Sequence, residues 1–294
     1  MSDTKCSVCS KEASESTPKL LTCSRCKDTK YCSKECQTSV WETHKTTCRR
    51  PNYILHFHLA PDDIQDPAVT RTLSCPSTAT FDDLHEALQI AFGWANTHAY
   101  DFAVFDPDCE EETGTPDLTD FIRRLQGGTT DSDPREFLLR ISAKETNPGM
   151  MMMKVDKMHE GRRKHPRTVE KVAQRTKLWQ ILDDAKYTGQ DMEYHYDFGD
   201  GWNHEITLKG REKATDRFTC LEGTGHGVAE DVKKDGWEEL KEAYRTNRPN
   251  QEQKEKRHWY EYQSSNGNPA GLGGGKEFEW DKSAVDGRLA HLRI

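Results

Sequence analysis

Nowhere in the chain do the roughly eighteen successive apolar residues of a membrane-spanning helix occur. The N-terminal stretch MSDTKCSVCSKEASES also has no apolar segment of the kind that opens a secreted protein. Apolar side chains are scarce overall, at 33% against 31% charged, so compact units interrupted by solvated insertions are expected. Positive charge is not in excess. The net charge is −8, and no overall field draws the chain to nucleic acid. Seven tryptophans, nine tyrosines and ten phenylalanines exclude a wholly disordered chain. The reading is a protein of the cell interior, cytoplasmic and/or nuclear, with neither membrane nor nucleic acid as partner.

Cysteine is nearly absent after residue 48, where only Cys75, Cys109 and Cys220 remain. The other seven of the ten fall between Cys6 and Cys48, and such clustering without a leader points to metal rather than disulfides. The pairs are Cys6-x2-Cys9, Cys23-x2-Cys26, Cys32-x3-Cys36 and His44-x3-Cys48. A two-residue gap lets a tight turn aim two thiolates at one ion, and a three-residue gap on a helix stacks two ligands one turn apart. Eight ligands fill two tetrahedral zinc sites and leave no open position for water, which makes both ions structural. A segment this short buries too little apolar surface to fold without them.

This spacing, with Tyr31 before Cys32 and Trp41 before His44, resembles the MYND-type zinc finger. The resemblance implies interleaved sites, with Cys6, Cys9, Cys32 and Cys36 on one zinc and Cys23, Cys26, His44 and Cys48 on the other. It also implies a module that binds short, often proline-containing peptide segments of partner proteins. The departure is the long gap between Cys9 and Cys23, a polar stretch that leaves the ligand set intact.

Arg49-Arg50-Pro51 marks a boundary, because proline cannot extend the preceding helix. The expected organisation is therefore a finger over residues 1–50 and an α+β domain with an antiparallel sheet over 51–294. Insertions are placed at about 107–135, 147–175 and 247–278. Strands are expected at Tyr53–Leu59, Val69–Ser74, Tyr100–Phe105 and Glu136–Ile141. Helices are expected from an N-cap at Thr80 to a stop at Gly93, then over Leu178–Ala185, Trp237–Tyr244 and Asp281–Leu289. A hairpin joins Met192–Phe198 to Trp202–Leu208 through Gly199-Asp200-Gly201, with Met192, Tyr194, Tyr196 and Phe198 alternating onto one face. Asp101–Asp120 holds eight acids and no Lys or Arg, whereas Lys154–Lys177 holds nine Lys/Arg against three acids. Both read as solvated segments, with contact between them, or a nuclear-localisation role for Arg162–Arg167, as alternatives. The Gly-rich Ala270–Gly275 reads as a flexible loop.

Three fragments carry a second signature. They are Leu84–Trp94 (LHEALQIAFGW) with His98, then Tyr196–His204 (YDFGDGWNH), then Cys220–Gly223 leading to Glu230-Asp231-Val232. In this order they resemble the plasmid pRiA4b ORF-3-like family, also described as transposon passenger TnpR-like. The resemblance implies a compact α+β domain and no established reaction. Its His and carboxylate side chains, His98, Asp197, Asp200, His204, Glu222, Glu230 and Asp231, are the types that bind metal or exchange protons. Asp200 between two glycines reads equally well as a turn residue, and His204 as a core histidine. The preferred function is a two-zinc, non-enzymatic adaptor whose finger docks a partner peptide. The alternative is a metal-dependent or acid/base enzyme built around His98, Asp200, His204 and Glu222. The Asn203-His204 pair sits in the hairpin and does not form a SET-type methyltransferase motif.

Overall fold

A computed structural model describes residues 5–13, 19–109, 135–143 and 163–294 of the chain. Its first part is a small cysteine-rich unit. A two-stranded antiparallel ribbon, β1 (Leu21–Thr22) and β2 (Lys30–Tyr31), precedes two short helices, α1 (Lys34–Ser39) and α2 (Trp41–Thr47). Ser33 caps α1, its hydroxyl accepting from the Cys36 backbone N–H. The apolar nucleus here is Cys23, Tyr31 and Cys48 with Cys26, Cys36 and Val40 against them, a core made mostly of ligand sulfurs.

The second part is built on eight strands: β3 (Asn52–Leu59), β4 (Val69–Cys75), β5 (Tyr100–Phe105), β6 (Phe137–Ser142), β7 (Val169–Val172), β8 (Met192–Tyr196), β9 (Trp202–Glu212) and β10 (Thr219–Thr224). They lie in the order β10-β4-β3-β9-β8-β5-β6-β7. Every pairing is antiparallel except β6 with β7, so the sheet is mixed by one edge strand. The alternation in β3 sends Tyr53, Leu55, Phe57 and Leu59 into the core, leaving His56 and His58 half-buried on the other face. On the core face lies α3 (Phe81–Phe92), started by a Thr80–Asp83 capping box and ended by left-handed Gly93. Further helices are α4 (Leu178–Leu182), α5 (Lys233–Arg245), α6 (Gln251–Tyr262) and α7 (Lys282–Leu289). No described helix is long and apolar enough to cross a membrane.

Several details depart from the sequence reading. The helix expected over Leu178–Ala185 stops at Leu182. Phe198 leaves the Met192, Tyr194 and Tyr196 face, because Asp197 takes φ 56° and turns the chain over. Its ring instead packs on His195, with centroids 5.5 Å apart. The insertion placed at 247–278 contains α6, whose Tyr260 is buried, and the Gly-rich run beyond it buries Leu272.

The acidic and basic segments meet where the structure describes them. Arg163 donates to both oxygens of Asp101 at 2.9 Å and to Glu193. Arg140, buried in β6, donates to the same Asp101. Residues 110–134 and 154–162, which carry much of both segments and include Arg162, lie outside the described residues.

At the other end of the sheet, buried Arg71 donates to the carbonyls of Thr70, Ala91, Thr224 and Gly225. It thereby staples β4, the end of α3 and the exit of β10. These four acceptors compensate a charge that burial alone would make costly. Burial pulls its pKa down to about 10.

Candidate metal centres

The eight residues singled out in the first fifty fall into two groups whose ligand atoms lie within 4.8 Å of one another. These are Cys6, Cys9, Cys32 and Cys36, and Cys23, Cys26, His44 and Cys48. Cys9, Cys32 and Cys36 place their sulfurs 3.5, 3.5 and 3.9 Å apart. In the second group Cys23 and Cys48 are 3.7 Å apart, as are the Cys26 sulfur and His44 Nε2. A tetrahedral ion with bonds of about 2.3 Å to sulfur has edges of about 3.8 Å, so both groups have the dimensions of a closed tetrahedral site. The local structure explains the convergence. The 23–27 turn closes with Lys27 N–H on the Cys23 carbonyl, while α1 supplies Cys36 and α2 supplies His44.

The ionisation of these thiols calls for a cation between them. Burial acts to raise Cys6 and Cys26, yet hydrogen bonds from surrounding groups outweigh it and bring both down to about 6. Cys32, hydrogen-bonded to the Cys9 and Cys36 sulfurs, is pushed up to about 12. Cys48, buried and against Cys23, is pushed up equally far. Sulfurs this close cannot all ionise without positive charge between them, and a divalent ion supplies that charge while leaving every cysteine ligand a thiolate.

The fragments of the second part also converge, though not on all the residues singled out. His98 Nε2 lies 3.6 Å from Asp197 Oδ2 and 3.3 Å from Asp231 Oδ1. These three form the third group of ligand-type side chains among the described residues. Each comes from one fragment: His98 from the loop after α3, Asp197 from the end of β8, Asp231 from the turn before α5. Asp197 is almost fully buried. Its Oδ1 accepts from the backbone N–H of Gly199 and Asp200, and burial raises its pKa, against the pull of His98.

Two neighbouring carboxylates hold this arrangement. Asp200 Oδ2 accepts from the Lys233 N–H at 2.9 Å, tying the hairpin turn to the Asp231 turn. Glu230, fully buried, accepts from Ala95 N–H, Tyr196 O–H and the hydroxyls of Thr97 and Ser265. Tyr196 O–H in turn accepts from the Thr97 and His98 N–H groups. Beneath the same loop, Asn96 receives a hydrogen bond from His85 Nε2, the ring nitrogen that must donate because Asn96 Oδ1 can only accept. Asn96 itself donates to Glu86 and, through its backbone, to Gln89. The His-Glu-x-x-Gln residues of α3 therefore shape the loop that carries His98, a role no spacing in the sequence signals.

His204 and Glu222 lie apart from this cluster. His204 is fully buried between Phe92 and Trp94, with Nδ1 donating to the Tyr194 carbonyl, and burial lowers its pKa to about 3. Glu222 is exposed on the edge strand β10, opposite Thr72. Cys75 and Cys220 are buried free thiols, and burial pushes Cys220 up to about 11.

Comparison with known proteins follows the same division. The family model of the plasmid pRiA4b ORF-3-like protein matches residues 53–285, and that of the MYND finger matches residues 6–48. The uncharacterised protein y4hQ of Sinorhizobium fredii (strain NBRC 101917 / NGR234) is 27% identical over 172 residues. That match covers 58% of this chain and 62% of the relative's length. A crystal structure of the protein of unknown function MM3350 from Methanosarcina mazei Go1 is 19% identical with a TM-score of 0.49. It covers 79% of this chain and 96% of the other.

Proposed function

Since the chain belongs to the plasmid pRiA4b ORF-3-like family and carries a MYND finger, we propose that it is a zinc-dependent protein-interaction adaptor. The observation that supports this most directly is the pair of four-ligand groups with tetrahedral dimensions. Zinc is the ion proposed for both. One set is four thiolates and the other three thiolates with an imidazole, and closed sets of this kind suit a d10 dication without redox chemistry. Its binding, worth about 10–16 kcal/mol in small fingers, is what folds a unit with so little apolar core. No coordination position is left for water, so these ions hold shape rather than perform chemistry.

The docked partner in this reading is a short, proline-containing peptide segment of another protein, as MYND fingers generally serve protein interaction. Exposed Val8, Leu21 and Trp41 supply the finger with apolar surface, and an indole offers a face on which a polyproline segment can lie. Thiolate ligands of this kind persist in a reducing compartment, which favours the cell interior.

The test is fluorescence anisotropy of an array of labelled proline-containing peptides against the zinc-loaded full chain. Saturable binding that disappears on chelation and weakens at least tenfold in Trp41→Ala supports the adaptor. A zinc-loaded chain that binds none of the array, or binds equally after chelation, overturns it.

A further inference from the structure

We propose that His98, Asp197 and Asp231 form a third, open metal site, for a divalent first-row transition ion such as zinc, in the second part of the chain and separate from the finger. The three ligand atoms lie within 4.8 Å of one another. The separations from His98 Nε2, 3.6 Å to Asp197 and 3.3 Å to Asp231, exceed a hydrogen bond to the first and are long for one to the second. They match the edges of about 3.3–3.6 Å expected of a tetrahedron with nitrogen and carboxylate ligands at 2.0–2.2 Å. Both separations are ion-pair contacts, and they also have the dimensions of the edges of an ion's coordination shell.

The second observation is Asp197 itself. Its carboxylate is 4% exposed. One oxygen accepts from two backbone N–H groups, and Oδ2 faces His98 Nε2 at 3.6 Å. A carboxylate buried this deeply keeps its charge at a cost, and a cation beside Oδ2 would compensate it. The orientation is also built rather than incidental. Tyr196 and Glu230 fix the His98 loop, and Asp200 fixes the turn of Asp231, so three separate stretches of chain are held at one point.

The donor set selects the ion. One imidazole with two carboxylates suits zinc or its transition-metal neighbours better than calcium, which takes six to eight oxygens, or magnesium, which retains most of its water. Among the described residues three ligand-type side chains converge here, and Asp231 is 54% exposed. The remaining position thus opens to solvent, the pattern of a zinc site that holds water or an exchangeable ligand and unlike the closed sites of the finger.

The experiment is zinc stoichiometry by elemental mass spectrometry on the full chain, equilibrated at rising buffered free zinc. Wild type is expected to plateau first at two ions and then at three. His98→Ala and the isosteric Asp231→Asn are each expected to remain at two, with the finger ions retained and the circular dichroism unchanged. Asp231 lies at the surface, so its variant keeps the fold and isolates ligation from stability. A wild-type plateau at two, or a third ion retained by the folded Asp231→Asn and His98→Ala chains, overturns the proposal. Loss of the finger ions alone, with the third retained, would instead count against the adaptor and leave this site standing.

Discussion

Asp101→Asn is expected to be among the most damaging conservative changes in the protein. Asp101 is fully buried on β5, where its carboxylate accepts from Arg140 at 2.5 Å and from Arg163 twice at 2.9 Å. The amide that replaces it presents two donors to two guanidinium groups and leaves their charge facing no anion at that point. Breaking a buried pair from one side costs about 3–5 kcal/mol. Arg140 keeps Glu170 at 3.5 Å and Arg163 keeps Glu193, which argues for the lower end, about 3 kcal/mol. In a domain of this size each kcal/mol moves the melting temperature by about 2–4 °C, so a fall of about 6–12 °C is expected. Urea unfolding of the zinc-loaded chain, followed by tryptophan fluorescence, gives the free energy. The cycle with Arg163→Met separates the coupling from the loss of either group. A single-variant cost below about 1 kcal/mol, with no coupling in the cycle, would refute the claim that this network ties the basic segment into the fold.

Three further outcomes follow from particular contacts. His85 and His204 are held neutral by burial, with pKa values lowered to about 4 and about 3, whereas each takes up a proton near 6.5 in the unfolded chain. Their contribution is thus whole above pH 6.5 and is lost as the pH falls towards 4 and 3, at about 1.4 kcal/mol per pH unit for each histidine. Burial opposes the charge on Glu193, but His195 and Arg163 overcome it and hold the group at about 2, so its contribution is lost in turn below its ordinary 4.5. Urea midpoints of the 51–294 signal that stayed level from pH 7 to pH 4 would contradict the assignments of His85 and His204. Gly227→Ala places a methyl 2.0 Å from the Phe92 carbonyl oxygen, a backbone atom at the end of α3 that cannot swing aside. A loss of about 1–3 kcal/mol or more by the same assay is expected, and a neutral substitution would show that this approach is not close. Chelation should unfold residues 5–50 while leaving the eight-stranded sheet, seen by NMR as loss of the finger amides alone. Collapse of both parts together would show that the sheet depends on the finger.

Much of this was legible in the sequence where one local rule decides. The four ligand pairs give their spacing outright, and the Thr80 cap with the Gly93 stop brackets α3 as expected. The strands Tyr100–Phe105 and Val69–Cys75 are rich in aromatic and β-branched residues, which favour extended chain. What was not legible depended on partners distant in sequence. The edge strand β7 (VEKV) has a burial pattern no alternation would pick out, and it exists because β6 offers it a parallel edge. Helix α6 is almost wholly polar, with Tyr260 its one buried residue, so periodicity had little to detect. Arg163 sits in a basic run that reads as solvated until Asp101, sixty-two residues away, is placed beside it.

The second candidate site shows why residue type alone does not tell which side chains meet. His98, Asp197 and Asp231 share a point, yet His204 and Glu222 belong to the same sequence fragments and do not reach it. The difference is the direction of the backbone. Left-handed Asp197 (φ 56°) ends the alternation of β8, and left-handed Asp231 (φ 62°) turns the chain before α5, so both side chains leave the path their strand or loop would otherwise give them. His204 follows strand alternation without interruption and is carried inward to Phe92. Non-glycine residues adopt such left-handed conformations at a cost and keep them only where the surroundings fix them. Here the fixing groups are the Asp197 carboxylate on its own turn and the Asp200 carboxylate on the N–H of Lys233. Replacing Asp200 by Ala is therefore expected to weaken the third ion without removing a ligand. Asp200→Asn, which retains an acceptor for Lys233, should largely restore it in the same zinc titration. Equal zinc affinity in all three chains would separate the turn from the site and leave the convergence of the three ligands without a structural cause.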